Sequence, residues 1–325
     1  IRSCLTDIGQ TWRDGDAHLG ARAFSESQLR KLSSKLESQD LNWDRRRQIL
    51  ISVQILEVMK LDEGQKKIPR IIHLLKTDSR PEHINPINFL SIKSILQNNP
   101  SYQVILHTPL APTGELWEQL LPQLTLNIEP TPQNLGTPRL MLAAHQADVW
   151  RVQKLIRFGG FYFDWDMILL RPVDDLRNNM CVMGLEHTPD GHNETLGVSA
   201  IGAQAESVFL KCWITMMDEA FDTQNYLAHS VLLAREIAMA LPSAINVLPA
   251  ESFYHPGWTE ADMDWMFDPS KKVSRVELAQ IYSNSWGVHF FESNASFLKY
   301  ANRVPITTPK TPSNNFEELM LLAGL

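Results

Sequence analysis

The sequence predicts an α/β protein in which a mostly parallel sheet is flanked by helices and preceded by a helical N-terminal region. Over residues 1–66, apolar residues recur at helical spacing in a highly charged background. From residue 67 onward, short apolar runs typical of buried strands alternate with amphipathic segments, the order expected of a parallel sheet. A third observation, the aromatic and acidic stretch 159–172, indicates which strand of this sheet carries the candidate functional site.

The N-terminal region, residues 1–66, is predicted to consist of amphipathic helices. Ser25 and Gln28 resemble a capping box at a helix start. Apolar residues follow at helical spacing, namely Leu29, Leu32, Leu36, Ile49, Val53, Leu56 and Met59. We interpret the region as a stem or scaffold that precedes the main domain or packs on it. Docking to a membrane or to a partner is the alternative.

The main domain is predicted to span residues 67–310, followed by a C-terminal tail, 311–325, that ends in a short helix. Strands are predicted from the apolar runs at 68–75, 102–106, 124–128, 160–170, 181–186, 245–248 and within 281–291. Helices are predicted at 86–97, 115–121, 137–158, 207–220 and 230–241. Asn85 is expected to cap the first helix, with Pro86 at its first position. Gly159 is expected to end the third helix in a left-handed conformation.

The stretch 159–172 places two aspartates, Asp164 and Asp166, at the end of a strand. In an extended strand, Tyr162 points to the same side as both aspartates, whereas three aromatic residues point to the other side, Phe161, Phe163 and Trp165. Two carboxylates that converge in this way can hold one Mg²⁺ or Mn²⁺, ions that usually share their ligand shell with substrate phosphates. The stretch therefore predicts a metal–diphosphate site. The alternative is a strand whose acidic residues only face solvent.

A second Asp-x-Asp pattern, formed by Asp262 and Asp264, is an internal control for this prediction. It lies in an acidic segment, 260–265, which is expected to be a solvated loop or a helix start. The glycine pair and the alternating aromatic residues that surround Asp164 and Asp166 are absent there. The prediction of a site therefore depends on context and not on the spacing alone.

Three more polar residues are candidates for this site. Asp148 and Arg151 are neighbours at i and i+3 in the predicted helix 137–158, just before the glycine pair. They can form a surface ion pair, worth ~0.2–0.5 kcal/mol, or a polar pair that reaches the rim of the site. His289 lies between apolar neighbours, where a histidine is usually a satisfied core residue.

The composition excludes several classes of protein. Charged residues make up 21% and hydrophobic residues 44% of the 325 residues, as in ordinary globular proteins. The net charge of −7 argues against a nucleic-acid partner, which normally requires a basic surface. There is no run of about eighteen apolar residues, so no membrane-spanning helix is predicted. The three cysteines are too few and too scattered for a disulfide framework or a zinc site, namely Cys4, Cys181 and Cys212.

Two features bear on the compartment. The chain begins at Ile1, which is compatible with a processed product or with a membrane anchor further upstream. Two sequons, at Asn193 and Asn294, are glycosylation acceptors only in a secretory setting.

Five segments of the chain, in this order, resemble one known family: residues 68–73, 147–155, 159–172, 248–255 and 282–289. They resemble the DXD-containing glycosyltransferases of family 32, in particular the branch of the α1,4-galactosyltransferases and α1,4-N-acetylglucosaminyltransferases. The resemblance covers about residues 68–292. Three positions depart from the usual pattern of the family, namely Ala147 in place of serine, Leu74 in place of an aromatic residue and Phe291 in place of tryptophan.

The resemblance implies a GT-A fold and a metal-dependent transferase that retains the anomeric configuration. It assigns Asp164 and Asp166 to the metal and to catalysis, with His289 as a third metal ligand. Asp148 and Arg151 would contact the donor sugar, and further donor-binding residues would be His73, Tyr162, Asp164 and Trp286. For retention, the leaving phosphate itself can deprotonate the acceptor hydroxyl, or a carboxylate acts as nucleophile, for which Glu251 is the candidate.

The expected cofactor is Mn²⁺ or Mg²⁺, and the expected co-substrate is a nucleotide sugar, a UDP-sugar by resemblance. The acceptor is expected to be a glycan, a glycolipid or a protein. GDP-mannose is the alternative donor, and a metal-dependent phosphohydrolase or a non-catalytic sugar-nucleotide-binding module is the alternative function. The resemblance suggests a Golgi or other secretory-pathway enzyme, with membrane association through an upstream anchor or the N-terminal helices. A cytosolic transferase is the alternative.

Overall fold

In the computed structural model, a seven-stranded mixed sheet forms the centre of the protein. The structure describes residues 67–136, 138–187 and 194–325, which all belong to the unit Lys66–Leu325. The predictions for residues 1–66, including the N-terminal helices, lie outside the described residues, as does the sequon at Asn193.

The strands in chain order are β1 Ile71–Leu75, β2 Gln103–Thr108, β3 Thr125–Ile128, β4 Gly160–Phe163, β5 Met167–Leu169, β6 Cys181–His187, β7 Glu194–Ala203, β8 Asn246–Leu248 and β9 Gly287–His289. The large sheet has the order β3-β2-β1-β4-β7-β6-β8, and β5 pairs with β9 in a separate two-stranded sheet. All neighbours in the large sheet are parallel except those of β7, which is antiparallel to both β4 and β6. The predicted fold class, a mostly parallel sheet flanked by helices, is confirmed.

The α-helices in chain order are α1 Pro86–Asn98, α2 Glu115–Leu120, α3 Ala143–Phe158, α4 Val208–Ala220, α5 Leu233–Ala240, α6 Glu260–Phe267, α7 Arg275–Ile281, α8 Ala295–Leu298 and α9 Asn315–Leu322. Asn85 caps α1 as predicted, because its side chain accepts a hydrogen bond from the Asn88 N–H while Pro86 occupies the first position. In the sequon at Asn294, the asparagine side chain caps α8 by accepting from the Ser296 N–H.

Helix α3 begins later than the sequence pattern predicts, at Ala143 and not near residue 137. The preceding residues fold back on themselves, since the Leu135 N–H donates to the Pro138 carbonyl over 2.9 Å. Leu142, the residue before the helix, is extended. At the other end, Gly159 ends the helix with a positive φ of 63°, but its ψ of −168° lies outside the left-handed helical region that was predicted.

The predicted strand 160–170 is interrupted at the acidic residues. Strand β4 ends at Phe163, and a turn closed by the Met167 N–H and the Asp164 carbonyl (3.1 Å) separates it from β5. The alternation of side chains therefore holds for β4 only. Because of this turn, Asp164 and Asp166 stand at the end of one sheet and the start of another.

The hydrophobic core connects the sheet to the C-terminal segment. Buried apolar residues of β1 and α1 belong to the same cluster as those of α6 and α9. The segment predicted as a C-terminal tail, 311–325, contributes α9 to this core, where Phe316, Leu319 and Met320 are fully buried. Within the described ranges, the structure contains no helix with the length and apolar character needed to cross a membrane.

Candidate metal and donor site

The two-stranded sheet brings His289 to the acidic pair. Met167, the residue after Asp166, is paired with His289 in the antiparallel ladder of β5 and β9. His289 Nε2 lies 3.2 Å from Asp166 Oδ1 and 3.7 Å from Asp164 Oδ2. One ligand atom from each of the three residues lies within 4.8 Å of the other two. The structure thus places the three predicted metal ligands in one cluster.

Asp166 is almost completely buried, with 4% of its surface exposed. Its Oδ2 accepts a hydrogen bond from the Glu292 N–H over 2.7 Å, and its carbonyl accepts from the Phe290 N–H over 3.2 Å. Burial acts to raise the pKa of this carboxyl, but the charge of His289, its hydrogen bond and the hydrogen bond from the Glu292 N–H outweigh burial and lower the pKa below its usual value. Asp166 is therefore held as a carboxylate with a fixed orientation.

His289 is buried between the carboxylates and the rings of Tyr254 and Phe291. Burial acts to lower the pKa of its imidazole, but Asp166 and then Asp164 raise the pKa above its usual value. Nε2 faces both carboxylates, and the buried Nδ1 has no hydrogen-bond partner among the described residues. An imidazole nitrogen that faces two carboxylates is stable there when it carries a proton to donate or when a metal ion lies between the three groups.

The donor set fits a divalent cation of the predicted kind. Carboxylate oxygens are the preferred ligands of Mg²⁺ and Mn²⁺, and imidazole is accepted by the softer of these ions. The cluster offers two carboxylates and one imidazole, which leaves further coordination positions for a ligand such as a diphosphate. The three residues that would hold such an ion are Asp164, Asp166 and His289.

Asp164 connects this cluster to helix α3. Its Oδ1 accepts a hydrogen bond from the Tyr162 hydroxyl and lies 3.5 Å from the Arg151 guanidinium. The Arg151 guanidinium also stacks on the Tyr162 ring, 4.7 Å from its centroid. About a quarter of the Asp164 side chain is exposed, more than for the other two members of the cluster, so this carboxylate is the one open to a ligand.

Asp148 and Arg151 form a buried pair and not a surface pair. The Arg151 Nη2 lies 3.3 Å from Asp148 Oδ1, and both side chains are less than a tenth exposed. Arg151 also donates to the Ala147 carbonyl (3.1 Å) and to the Val198 carbonyl (2.8 Å). Burial acts to lower the pKa of this guanidinium, but Tyr162, Asp164 and Asp148 raise the pKa above its usual value. The pair is thus part of the site, one of the two arrangements left open by the sequence.

His73, predicted to bind the donor, does not belong to this cluster. Its two ring nitrogens are both used inside the protein, Nδ1 with His107 Nε2 and Nε2 with the Gly159 carbonyl, each over 2.9 Å. The residue is fully buried, and burial lowers its pKa to about 4. With no free polar atom and no exposure, His73 joins β1 and β2 to the end of α3 and is not available to a ligand.

Trp286 and Glu251 also lie apart from the metal cluster. The Trp286 ring packs against the Arg171 guanidinium, 4.4 Å from the ring centroid, and against Phe253. Trp286 stands one residue before β9, whereas His289 ends that strand. The Glu251 side chain is exposed, and none of the described hydrogen bonds or ion pairs joins it to the acidic pair. The structure therefore shows neither residue in contact with the acidic pair, and their predicted roles stay predictions.

Three residues that the sequence analysis did not assign surround the cluster. Tyr254 is buried, and its hydroxyl accepts from the Ser199 and Ala200 N–H groups, each over 3.2 Å. Burial raises the pKa of Glu186, a carboxyl on β6 whose charge acts on His289. Burial and the charge of Asp166 raise the pKa of Glu292 to about 7. Of the three, Tyr254 lies in the segment 248–255, which resembles the family, while Glu186 lies on β6 and Glu292 follows β9.

One segment of the chain is similar to a family of known proteins. Residues 88–183 match the family model described as "Glycosyltransferase sugar-binding region containing DXD motif". Residues 88–183 are therefore similar to the sugar-binding region of the DXD glycosyltransferases, which supports the family predicted from the sequence motifs. The α1,4 branch within that family stays a prediction.

One curated relative and several solved structures are similar to the chain. "Glucan organizing enzyme 1" of Cryptococcus neoformans var. grubii serotype A is 30% identical over 237 residues, which are 71% of this chain and 62% of the relative. The chain thus matches about three fifths of that relative's length. The glycosyltransferase GlyE of Streptococcus pneumoniae TIGR4 is 10% identical, with a TM-score of 0.44 over 79% of this chain and 61% of its own. The galactosyltransferase LgtC, solved with donor and acceptor sugar analogs, is 13% identical, with a TM-score of 0.39 over 74% and 98%. These TM-scores are low, and no property of GlyE or LgtC is transferred to this chain.

Proposed function

We propose that this protein is a metal-dependent, retaining glycosyltransferase that moves a sugar from a UDP-sugar to a hydroxyl group of a glycan. The observation that carries the proposal is the cluster of Asp164, Asp166 and His289. One ligand atom of each residue lies within 4.8 Å of the other two, beside the turn that joins β4 to β5. The match of residues 88–183 to the sugar-binding region of the DXD glycosyltransferases supports the same class of reaction.

The residues of the site divide into two groups by the part of the donor that they would contact. A divalent cation held by the acidic pair and His289 would neutralise the charge that develops on the diphosphate as the glycosidic bond breaks. Arg151 and Asp148 lie on the other side of Asp164, where they offer one hydrogen-bond donor group and one acceptor group to sugar hydroxyls. The arrangement binds the diphosphate at one end and the transferred sugar at the other.

Retention requires that the new bond form on the face from which the diphosphate leaves. In the path we favour, the bond from C1 of the sugar to the diphosphate oxygen breaks, the acceptor oxygen bonds to C1 on the same face, and the acceptor proton passes to the departing phosphate oxygen. No protein base is needed for this balance. Glu251 is exposed in the structure, so the nucleophile that the sequence suggested is not supported by its position.

The donor and the acceptor are proposed on different grounds. A UDP-sugar follows from the resemblance to the α1,4 branch, and GDP-mannose is the donor to compare with it. The name of the relative, glucan organizing enzyme, favours a glycan as acceptor.

Incubating the full chain with a panel of UDP- and GDP-sugars, with Mn²⁺ or with EDTA, tests the proposal. We expect sugar-specific release of UDP that depends on the metal and is stimulated by a glycan acceptor. Release of inorganic phosphate would identify a phosphohydrolase instead. Binding of nucleotide sugar that is unaffected by EDTA, without any release, would identify a non-catalytic module.

A matched pair of variants tests the metal site. We expect Asp166→Asn to lower turnover by about a hundredfold or more, because one lost electrostatic stabiliser costs ~3 kcal/mol in the transition state. Asp264→Asn is the control, since Asp264 has the same sequence spacing but lies on α6, where it accepts from the Tyr300 hydroxyl. Turnover and circular dichroism are measured for both. Wild-type turnover in folded Asp166→Asn would refute the metal role.

A further inference from the structure

A second cluster of buried polar groups adjoins the site on the side of Asp148. Asp148 Oδ2 lies 3.2 Å from His229 Nε2, a close polar contact that lacks hydrogen-bond alignment. The other oxygen of Asp148 is the one that faces Arg151. Both oxygens of this carboxylate are therefore held, one by the arginine that reaches Asp164 and one by a histidine from a distant part of the chain.

His229 is fixed firmly in its own element. It is fully buried on a single π-helical turn, Ala228–Leu232, a form that occurs often at functional sites. Its carbonyl accepts from the Trp213 indole N–H over 2.9 Å. Its ring packs against His145 (centroids 4.6 Å apart) and Phe221 (5.0 Å). A residue so enclosed holds its contact with Asp148 in a constant geometry.

The segment between Phe221 and His229 runs from the buried cluster to the surface of the protein. Tyr226 packs on His145 with ring centroids 5.0 Å apart, yet about half of its side chain (52%) is exposed. Burial and the negative charge of Asp148 raise the pKa of its phenol, while Arg151 acts in the opposite direction. Tyr226 thus connects the buried rings, through its contact with His145, to the surface of the protein.

Two buried polar atoms in this second cluster have no partner within the protein. His145 Nε2 and His229 Nδ1 are buried and have no hydrogen-bond partner among the described residues. Both histidines are at least nine-tenths buried. Buried polar atoms without partners are uncommon in native proteins and are usually explained by a bound molecule or water.

We propose that Tyr226 contacts the transferred sugar of the donor and helps to select it, while His229 positions Asp148 for the same sugar. The inference rests on the proposed function, because it assigns residues that would contact the sugar part of the donor. A tyrosine offers an apolar ring face for the C–H side of a hexose and a hydroxyl for one of its O–H groups. Asp148, held on both sides, offers an acceptor whose direction is set by His229. Together these groups discriminate sugars by the orientation of their hydroxyls.

Variants of Tyr226 test the contact with the sugar. We expect Tyr226→Ala to raise the KM for the donor sugar nucleotide by about tenfold and to change the ranking of the UDP-hexoses in kcat/KM. Tyr226→Phe keeps the ring and should change the ranking while the KM rises less. Tyr300→Phe is the matched control, since it removes a hydroxyl that donates to Asp264, outside the site. The affinity for Mn²⁺ should stay the same in all three.

Variants of His229 separate positioning from a structural role. His229→Gln keeps an N–H that can donate to Asp148, whereas His229→Leu does not. We expect His229→Leu to lower kcat/KM for the donor by about tenfold or more, and His229→Gln to recover part of the loss. A structural role would lower the melting temperature of both variants equally and leave the kinetics of the folded protein unchanged.

The outcomes also separate this inference from the proposed function. If the wild-type chain transfers no sugar from any donor, the proposed function is refuted. If the wild type is active and Tyr226→Ala keeps the donor ranking and the donor KM, the inference is refuted while the function stands. A change confined to the KM of the acceptor would also contradict it, because the subsite would then belong to the acceptor.

Discussion

At the scale of single residues, the site is a chain of close polar contacts that runs from His229 through Asp148 and Arg151 to Asp164. Each contact in it lies between 3.2 and 3.5 Å. Arg151 is the branching point, because its planar guanidinium also reaches two backbone carbonyls and the Tyr162 ring. A lysine has a single charged nitrogen and cannot make these contacts at once.

Substituting Arg151 should therefore separate charge from geometry. We expect Arg151→Lys to remain folded but to lose on the order of a hundredfold in kcat/KM for the donor. The positive charge is kept, but the planar guanidinium that contacts several groups at once is lost. Arg151→Leu should also lower the free energy of unfolding by about 3–5 kcal/mol, since Asp148 is left buried with one partner fewer. Steady-state kinetics and urea unfolding measure the two effects. Equal activity in Arg151→Lys and the wild type would show that only the charge matters.

The sequence predicted residues of the site where the local pattern contains the chemistry. Asp164 and Asp166 follow from a glycine pair and an aromatic strand, and both lie in the cluster. His289 required the resemblance, because its ring reaches the aspartates through the pairing of β5 with β9, which no local pattern encodes. His73 resembled a ligand, yet its neighbours in space, His107 and the Gly159 carbonyl, occupy both nitrogens.

At the scale of elements, the connection from α3 to β4 fixes where the acidic pair stands. Gly160 has a φ of +105°, and a Cβ there would lie 2.5 Å from the Ile71 carbonyl oxygen in the neighbouring strand. Gly114 has nearly the same φ, +111°, but a Cβ there would meet nothing within 4 Å. The two glycines share the conformational requirement and differ only in the close approach of another strand.

Alanine at these two glycines should thus have unequal effects. We expect Gly114→Ala to lower the free energy of unfolding by about 1–2 kcal/mol, the cost of a positive φ in a residue with a Cβ. Gly160→Ala adds the clash with β1 and should cost on the order of 3 kcal/mol more, as for other overpacked positions. Urea unfolding of both variants measures the difference. Equal losses would mean that β1 and β4 can separate without cost.

Two buried histidines, His73 and His107, join the sheet to the end of α3 and should make the stability of the protein depend on pH. The pKa of His73 and that of His107 are each lowered to about 4, first by burial. In the unfolded chain a histidine titrates near 6.5, so between about pH 6.5 and about pH 4 the unfolded state binds more protons than the folded state. Stability should therefore be complete above this window and fall as the pH is lowered through it, by up to about 1.4 kcal/mol per pH unit for one histidine. Urea midpoints of the wild type and of His73→Gln across this window test the expectation; an equally steep decline in the variant would contradict it.

The large sheet shows which elements the sequence could predict. Buried strands such as β1 and β2 are apolar on both faces and stand out as continuous runs. Strand β7, Glu194–Ala203, was not predicted, because glycine and small residues make up much of it and give no apolar alternation. It nevertheless pairs with both β4 and β6, so the antiparallel centre of the sheet became visible only in three dimensions.

At the scale of the whole molecule, the C-terminal segment packs against the elements that carry the site. Asn98 at the end of α1 donates to the Leu169 carbonyl of β5 (3.0 Å) and to the Ala323 carbonyl (3.1 Å), which ties the last residues to the strand after the acidic pair. Phe316 of α9 packs on Phe290, the residue after His289, with ring centroids 5.2 Å apart. The metal cluster is thus the meeting point of segments more than a hundred residues apart.

Removing the Phe316 ring should therefore weaken the entire domain. Phe316 is fully buried and also stacks on Phe267, so Phe316→Ala should lower the free energy of unfolding by about 3–5 kcal/mol. In a domain of this size that corresponds to a fall of about 10 °C in melting temperature. Leu298→Ala is the control, because 59% of Leu298 is exposed, and its change should stay within about 0.5 kcal/mol. Thermal unfolding followed together with donor turnover should show both being lost at the same lowered temperature in Phe316→Ala. If Phe316→Ala behaved like Leu298→Ala, residues 311–325 would be an appended tail, and the packing that joins Phe316 to Phe290 would contribute nothing to holding His289 against the aspartates.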